Sequence, residues 1–461
     1  MSEGKGTSLV SLARQSVPPD TSAPHGKEDD LEASLLLRAS LPSVLAKAVA
    51  LPVSGFAALY SGHIVVGALG VSDFALFALI VTLPTLLPIG DLGVGAALVD
   101  AVEGGRGRRG DCERIECTIA SGARVLTCAG MLITSGGLAL VGTGAHTVLL
   151  GTASTPGAEA CVAIAAVFIG CSMPLSLGSV ALLAIRRAHV TVLLQAGGNV
   201  LALCLFLPLA ALGAPVFCFV SAALFGQCAA GLAGLLIAGR TLRMPMLRIV
   251  VTSLRQGRPV TRIVHLAGPM TVINVAAAVT YGTDRLVLSH ATNPTAVAVY
   301  SAGAQLYAPA STLVNAAVVP LWNLFVRQRR DSARVPRTEL ARISLWFGAG
   351  ALLLGVGLVT AGPSVTSWMT HAHATASTGL MTAFAALLLV QSVVSPVGMW
   401  LTHPVDLRFL AARCVLMAVI SIGLSVPLAW TFGPIGPVIA SVVAHAVCVN
   451  VPCFRRVFRR A

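Results

Sequence analysis

Between residues 40 and 453 the chain is a succession of apolar runs, each about long enough to cross a lipid bilayer and each ended by arginine or by glycine and proline. About 20 apolar residues wound as a helix cross about 30 Å of hydrocarbon with every backbone polar group satisfied internally. A membrane β-barrel would read instead as alternating segments of about ten residues, and none is visible. Composition agrees: 56% of the residues are apolar, 11% are charged and the mean hydropathy is +0.85. A soluble chain of 461 residues needs far more polar surface.

The runs predict spans near residues 40–61, 74–99, 117–142, 159–184, 190–212 and 215–239, then near 263–288, 295–326, 343–362, 377–402, 408–430 and 434–453. The expected fold class is an all-α polytopic membrane protein of about twelve transmembrane helices in two parallel six-helix halves around a central cleft. Residues 1–38 are expected as a disordered cytoplasmic tail, since they are polar, hold Pro18, Pro19 and Pro24, and lack the succession of a signal peptide. The first bundle is expected over 39–239, a basic cytoplasmic linker over 240–262, the second bundle over 263–454, and a basic end over 455–461.

Charge sets the expected orientation. With the N-terminus inside, 27 of the 31 basic residues fall on one side, among them Arg106, Arg108 and Arg109, Arg240 to Arg262, Arg327 to Arg342, and Arg455 to Arg460. Cations in short loops resist translocation, so both termini are expected in the cytoplasm, beneath a bacterial-type inner membrane. One missed span would invert every later loop, so their agreement supports twelve. The net charge of +13 is then positive-inside bias plus attraction to an anionic leaflet. Cations dispersed over many loops without interleaved aromatics exclude nucleic acid as a partner.

A faint repeat divides the chain. Leu45, Ala46 and Tyr60 recur as Leu266, Ala267 and Tyr281, and Pro208-Leu209-Ala210 recurs as Pro427-Leu428-Ala429. An even number of spans per half makes such repeats parallel, with a cleft between them.

No hydrolase, nucleotide-binding or metalloprotease motif is present, so the chain is expected to be no enzyme, to take no cofactor and not to use ATP itself. Eleven scattered cysteines predict small buried apolar side chains, with Cys112 and Cys117 in a polar loop and no disulfide framework or metal site. His371 and His373 are expected as solvated histidines of an outer loop. What is left is charge inside the membrane, which costs about 2.5–3.5 kcal/mol at a helix centre and so faces a cavity or a partner. Lys47, Arg124 and Arg413 lie within proposed spans; each either snorkels to the interface or lines the cleft. Asp91, in Pro88-Ile89-Gly90-Asp91-Leu92-Gly93, either caps a broken turn or couples transport to a proton or sodium ion. Asp284 and Arg285 close the seventh span. Adjacent residues point about 100° apart on a helix, so one can pair across the bundle while the other lines the cleft.

Four stretches carry a resemblance: Asp73-Phe74-Ala75-Leu76-Phe77-Ala78 followed by Gly90-Asp91-Leu92-Gly93-Val94-Gly95; Pro269 followed by Asp284-Arg285-Leu286; Val299-Tyr300-Ser301-Ala302-Gly303-Ala304-Gln305-Leu306; and Gly433-Pro434-Ile435-Gly436-Pro437. In order and spacing they resemble the multidrug/oligosaccharidyl-lipid/polysaccharide exporter superfamily, above all its Wzx-type O-antigen flippases, over most of residues 40–453. Ala75 stands where the family more often has glycine. The resemblance implies that a polyprenyl-pyrophosphate-linked oligosaccharide moves from the inner to the outer leaflet for surface polysaccharide or lipopolysaccharide synthesis. Lys47, Arg124 and Arg285 would then meet its pyrophosphate, and Asp91 and Asp284 would couple the movement or break their helices. The expected partners are that lipid, the surrounding membrane lipids and the polysaccharide polymerase machinery. The alternative is a MATE-like or major-facilitator-like drug exporter. The major-facilitator signature fails, because Asp100 is separated from Arg106 by Ala101-Val102-Glu103-Gly104-Gly105.

Overall fold

A computed structural model describes residues 25–86, 94, 98, 111–185, 187–254, 264–331 and 337–459. The chain divides into a unit Met1–Leu45 and a unit Ala46–Ala461, and the second holds the helical bundle. Among the described residues the backbone is helical and has no strand: α1 (His25–Leu69), α2 (Val71–Leu86), α3 (Asp111–Gly142), a short α4 (His146–Leu150), α5 (Ala158–Ala184), α6 (Ala188–Ala211), α7 (Val216–Leu242), α8 (Met246–Thr252), α9 (Val264–Gly282), α10 (Asp284–Ala291), α11 (Pro294–Asp331), α12 (Arg337–Met369), α13 (Thr378–Trp400), α14 (Pro404–Phe432), α15 (Gly436–His445) and α16 (Val451–Arg459). A π-helical turn, Ala446–Asn450, joins the last two.

Eight stretches among the described residues are long and apolar enough to cross a membrane, one of them the run Asp406–Phe458. A left-handed Gly433 breaks that run into two antiparallel arms. Val71–Thr85 is a shorter apolar helix, and α9 with α10 spans the expected seventh crossing through Thr283. The arrangement is that of a multi-pass, two-half bundle compatible with twelve crossings. The elements also repeat: α1–α2 corresponds to α9–α11, α3 to α12, and α6 and α14 carry Pro208 and Pro427 at matching places near their ends.

Most expected spans match these elements within a few residues. The largest difference is the first, expected to end near residue 61 and found to run to Leu69, because Tyr60 and His63 are held against the second half. At its other end α1 begins at His25, so it takes in the acidic residues Glu28 to Glu32 that composition assigns to the tail. Cys112 and Cys117 lie in α3, not in a loop, because that helix extends beyond its apolar stretch. Cys161 is buried as expected, but Cys128, Cys171 and Cys204 are exposed on outward helix faces, where a thiol is apolar enough to meet lipid.

Lipid offers no partner to a hydroxyl, and the helices supply one internally. Thr127 donates to Ala123 O at 2.7 Å, Thr280 to Ala276 O at 2.7 Å and Ser392 to Leu388 O at 2.6 Å. Helices close on one another through small residues. At the α6–α7 crossing a Cβ built on Gly226 would stand 2.3 Å from Gly198 O, and one built on Gly198 would stand 2.5 Å from Gly226 O, so only glycine fits on both sides.

Candidate functional site

The two halves are joined by hydrogen bonds gathered at one end, the end whose loops carry few cations. Thr152 Oγ1 of the first half donates to Ser289 O at 2.7 Å, and His290 Nε2 donates to Val148 O at 2.6 Å. His63 Nδ1 donates to Trp368 O at 2.9 Å, and His371 Nε2 to His63 O at 3.2 Å. Carbonyl oxygens only accept, so in each pair the ring nitrogen carries the proton. Around these bonds Tyr60, His63, Trp368 and His371 stack as one aromatic group: His63 lies 4.6 Å from Trp368 and 4.1 Å from His371 between ring centroids. Beneath it a single apolar core crosses from Val65, Phe74 and Phe77 of the first half to Val297, Tyr300 and Phe384 of the second.

Glycines make the approach possible. A Cβ on Gly62 would stand 2.9 Å from Met369 Sδ and 3.1 Å from Gln305 Oε1, and one on Gly67 would stand 2.8 Å from His371 Nε2. The loop after α12 is held in turn from within. Ala374 N donates to Thr370 Oγ1 and Ala376 N to Thr366 Oγ1, both threonines being fully buried. These bonds stabilise left-handed backbone at His371 (φ 49°) and Ala372 (φ 65°), a conformation that costs side-chain-bearing residues about 1–2 kcal/mol each. His371 is exposed in the loop after α12, as expected of a loop histidine, and from there it also takes part in the closure.

Just inside this end, Asp284 and Arg285 are the first residues of α10, which follows α9 through Thr283 with helical backbone bonds kept on both sides. Asp284 is 2% exposed. Its Oδ2 accepts from the Tyr300 hydroxyl at 2.7 Å, and its Oδ1 has no hydrogen-bond partner among the described residues. Arg285 Nε donates to Ser301 Oγ at 3.1 Å, and its guanidinium lies 5.6 Å from the centroid of the Tyr300 ring. The pair therefore divides as helix geometry requires: the carboxylate takes the hydroxyl of Tyr300, and the cation takes its ring face and the neighbouring serine. Gln305 Oε1, one turn further along α11, is also buried without a partner among the described residues. An acid and a cation so meet at Tyr300 and Ser301, with an amide of unused acceptor capacity one turn on, beside Gly62 of α1.

The other expected site residues lie elsewhere. Arg124 donates from Nε to Ser253 O at 3.0 Å, the carbonyl at the C-cap of α8, where a cation meets the negative end of the helix dipole. It thereby ties α3 to the basic linker. Lys47 is half-buried, just before the apolar stretch that opens at Val49. Arg413 stands over the Phe409 ring at 5.1 Å, beside Arg456 at 4.3 Å. Asp91 lies outside the described residues. The structure thus brings Asp284 and Arg285 together with Tyr300 and Ser301, and leaves Lys47 and Arg124 apart from them. Sequence reading gave Tyr300, Ser301, His63, Thr152 and His290 no part. The available signal was aromaticity: three of the four tyrosines of this aliphatic chain, Tyr281, Tyr300 and Tyr307, fall within one short stretch.

Among solved structures the chain is similar to the lipid II flippase MurJ in an inward closed conformation, at 13% identity, TM-score 0.67, with 90% of this chain and 88% of that one covered. It is equally similar to a multidrug resistance MATE family transporter in an inward-facing conformation, at 16% identity and TM-score 0.67, with 90% and 98% covered. A MATE structure in a bent conformation follows at 15% identity and TM-score 0.60, with 91% and 94% covered. These likenesses establish the fold. No curated protein sequence matches the chain. Residues 63–321, more than half its length and including the Asp284–Arg285 pair, match the family described as "Polysaccharide biosynthesis protein", and the chain belongs to that family.

Proposed function

We propose that this chain is a flippase that carries a polyprenyl-pyrophosphate-linked oligosaccharide from the inner to the outer leaflet of a bacterial cytoplasmic membrane, by alternating access between its two halves. The observation that carries the reading is the seal of hydrogen bonds and stacked rings at the cation-poor end, directly above a buried Asp284–Arg285 pair. By the positive-inside rule the sealed end is the outer one, so the cycle is caught closed to the outside, with both termini in the cytoplasm.

The physics suits a lipid-linked cargo. Its tail stays in hydrocarbon, and only the polar head needs a path. Arg124 at the linker and Arg285 near the seal bracket that path, and Lys47 stands within the first helix at its inner approach. Expelling a head with two negative charges from a negative interior is downhill by about 2.3 kcal/mol per charge for each 100 mV. That is enough to move cargo without ATP. Asp284, with one oxygen unused, is the acid of the second half that would respond to a proton or sodium ion; Asp91 is its counterpart in the first.

Deletion tests the reading directly. A flippase mutant accumulates the complete lipid-linked oligosaccharide on the cytoplasmic side, and Arg285→Ala or Arg124→Ala reproduces this at normal expression. Unimpaired surface polymer in both variants removes the two cations from the mechanism. Normal surface polymer in the deletion strain, with raised sensitivity to lipophilic cations, would favour the MATE-like drug exporter instead. That second reading rests on the equal likeness to a multidrug transporter fold.

A further inference from the structure

The second half buries another titratable side chain on a different element. His445 is the last residue of α15 and opens the π-helical turn Ala446–Asn450. A π turn inserts a residue into the helix and re-aims the side chains around it, and such turns gather at functional sites. Here the turn directs two polar side chains inward. Asn450 Nδ2 donates to Val390 O at 2.9 Å, while its Oδ1 has no partner among the described residues. His445 is 9% exposed. Its Nδ1 lies 2.8 Å from the Tyr281 hydroxyl, and its Nε2 is buried with no partner among the described residues. At a helical rise of 1.5 Å per residue His445 sits about 14 Å below Gly436, near the middle of a 30 Å hydrocarbon layer.

The Tyr281 hydroxyl and His445 Nδ1 share one hydrogen, which ties α9 to α15, and the Tyr307 hydroxyl of α11 donates to Gln391 Oε1 of α13. In a neutral imidazole one ring nitrogen donates and the other accepts, so in either tautomer His445 Nε2 keeps a donor or an acceptor unused among the described residues, at a cost of about 1–3 kcal/mol. The titratable and charged groups around His445 are Tyr281, with Tyr307 and Asp284 beyond; Cys414 and Arg413 from α14; and Cys448, Cys453 and Arg456 from the same arm as His445.

We propose that His445 is a proton-binding site that switches the second half between its conformations. A second ring proton leaves both nitrogens as donors. Tyr281 must then accept from Nδ1 and send its own hydrogen elsewhere, which alters the bond that ties α9 to α15. The resulting imidazolium has two donors and no buried anion in contact among the described residues, so it favours a conformation in which water reaches Nε2. Proton uptake thereby opens the seal, and proton loss restores it. The role presupposes that the chain is an alternating-access transporter and identifies one group through which protons would drive it.

The test uses the full chain in nanodiscs, with Cys128, Cys171 and Cys204 replaced by alanine and spin labels at Thr143→Cys and His373→Cys, one on each half at the sealed end. Pulsed distance measurements follow the closed population from about pH 7 down to about pH 3.5, across and below the range over which a free histidine changes charge. The closed fraction is expected to fall by about fivefold in the parent, a bias of about 1 kcal/mol, and to be independent of pH in His445→Gln. Should His445→Gln fail to purify as a monodisperse protein, Tyr281→Phe carries the test, because without the hydroxyl the midpoint must move. A parent whose closure ignores pH, or a His445→Gln whose closure still follows it, overturns the proposal. The readout needs no cargo: a pH-switched seal in a chain whose deletion accumulates no lipid-linked oligosaccharide would sink the flippase reading alone.

Discussion

The imidazole of His371 lies against that of His63, ring centroids 4.1 Å apart, and joins the loop after α12 to the outer third of α1. The two residues belong to different halves of the molecule, so alternating access requires them to part. The double variant His63→Cys/His371→Cys is therefore expected to form a disulfide under oxidising conditions and to hold the halves together. Surface polysaccharide should fall by about tenfold or more, a bias of about 1.4 kcal/mol, and recover on reduction. Full export with the disulfide in place would mean that this end need not open.

Tyr300 serves Asp284 and Arg285 at once, through its hydroxyl and its ring. Tyr300→Phe keeps the ring and leaves both carboxylate oxygens without a donor, at an expected cost of about 1–3 kcal/mol. Thermal unfolding in detergent should show it as a lower midpoint. Adding Asp284→Asn removes the buried charge and should return part of the loss. If the double variant is no more stable than Tyr300→Phe alone, the hydroxyl is not there for the carboxylate.

Gly226→Val places a side chain against the backbone of Gly198, where no neighbouring side chain can move aside. Parting α6 from α7 should cost about 1–3 kcal/mol and lower expression. Gly197→Val serves as the control, because a Cβ there meets nothing within 4 Å. Equal effects at the two positions would refer the loss to helix propensity rather than to packing.

Arg456 grips Asp406 at the basic end of the second half, with Nε at 2.7 Å and Nη2 at 2.6 Å from Oδ1, while its guanidinium covers Phe409. Both side chains keep contact with solvent, so Arg456→Ala is expected to cost no more than about 1 kcal/mol and to leave export intact. A loss as large as that of Gly226→Val would make this contact an anchor of the whole bundle.

Much of this architecture was legible in the chain itself. Hydropathy gave the crossings, because a helix in lipid must be apolar along its length, and most expected spans from residue 158 onward lie within a few residues of the helices. The distribution of arginine leads to an expected orientation, and the weak repeat to an expected division into halves. Asp284 and Arg285 were legible as a site because charge is rare enough in such a chain to stand out.

Partnership was not legible. Nothing in the order of residues says that Arg124 reaches across to Ser253, that His63 and His371 meet, or that Tyr281 and His445 share a proton. Each pair is separated by more than a hundred residues, and each is brought together by helix packing that depends on glycines at a few crossings. The one-dimensional pattern determines which segments enter the membrane, since that choice is made segment by segment against lipid. Which polar groups face one another once inside is decided by the bundle as a whole, since a buried donor or acceptor is satisfied only by whatever the neighbouring helix presents at that depth.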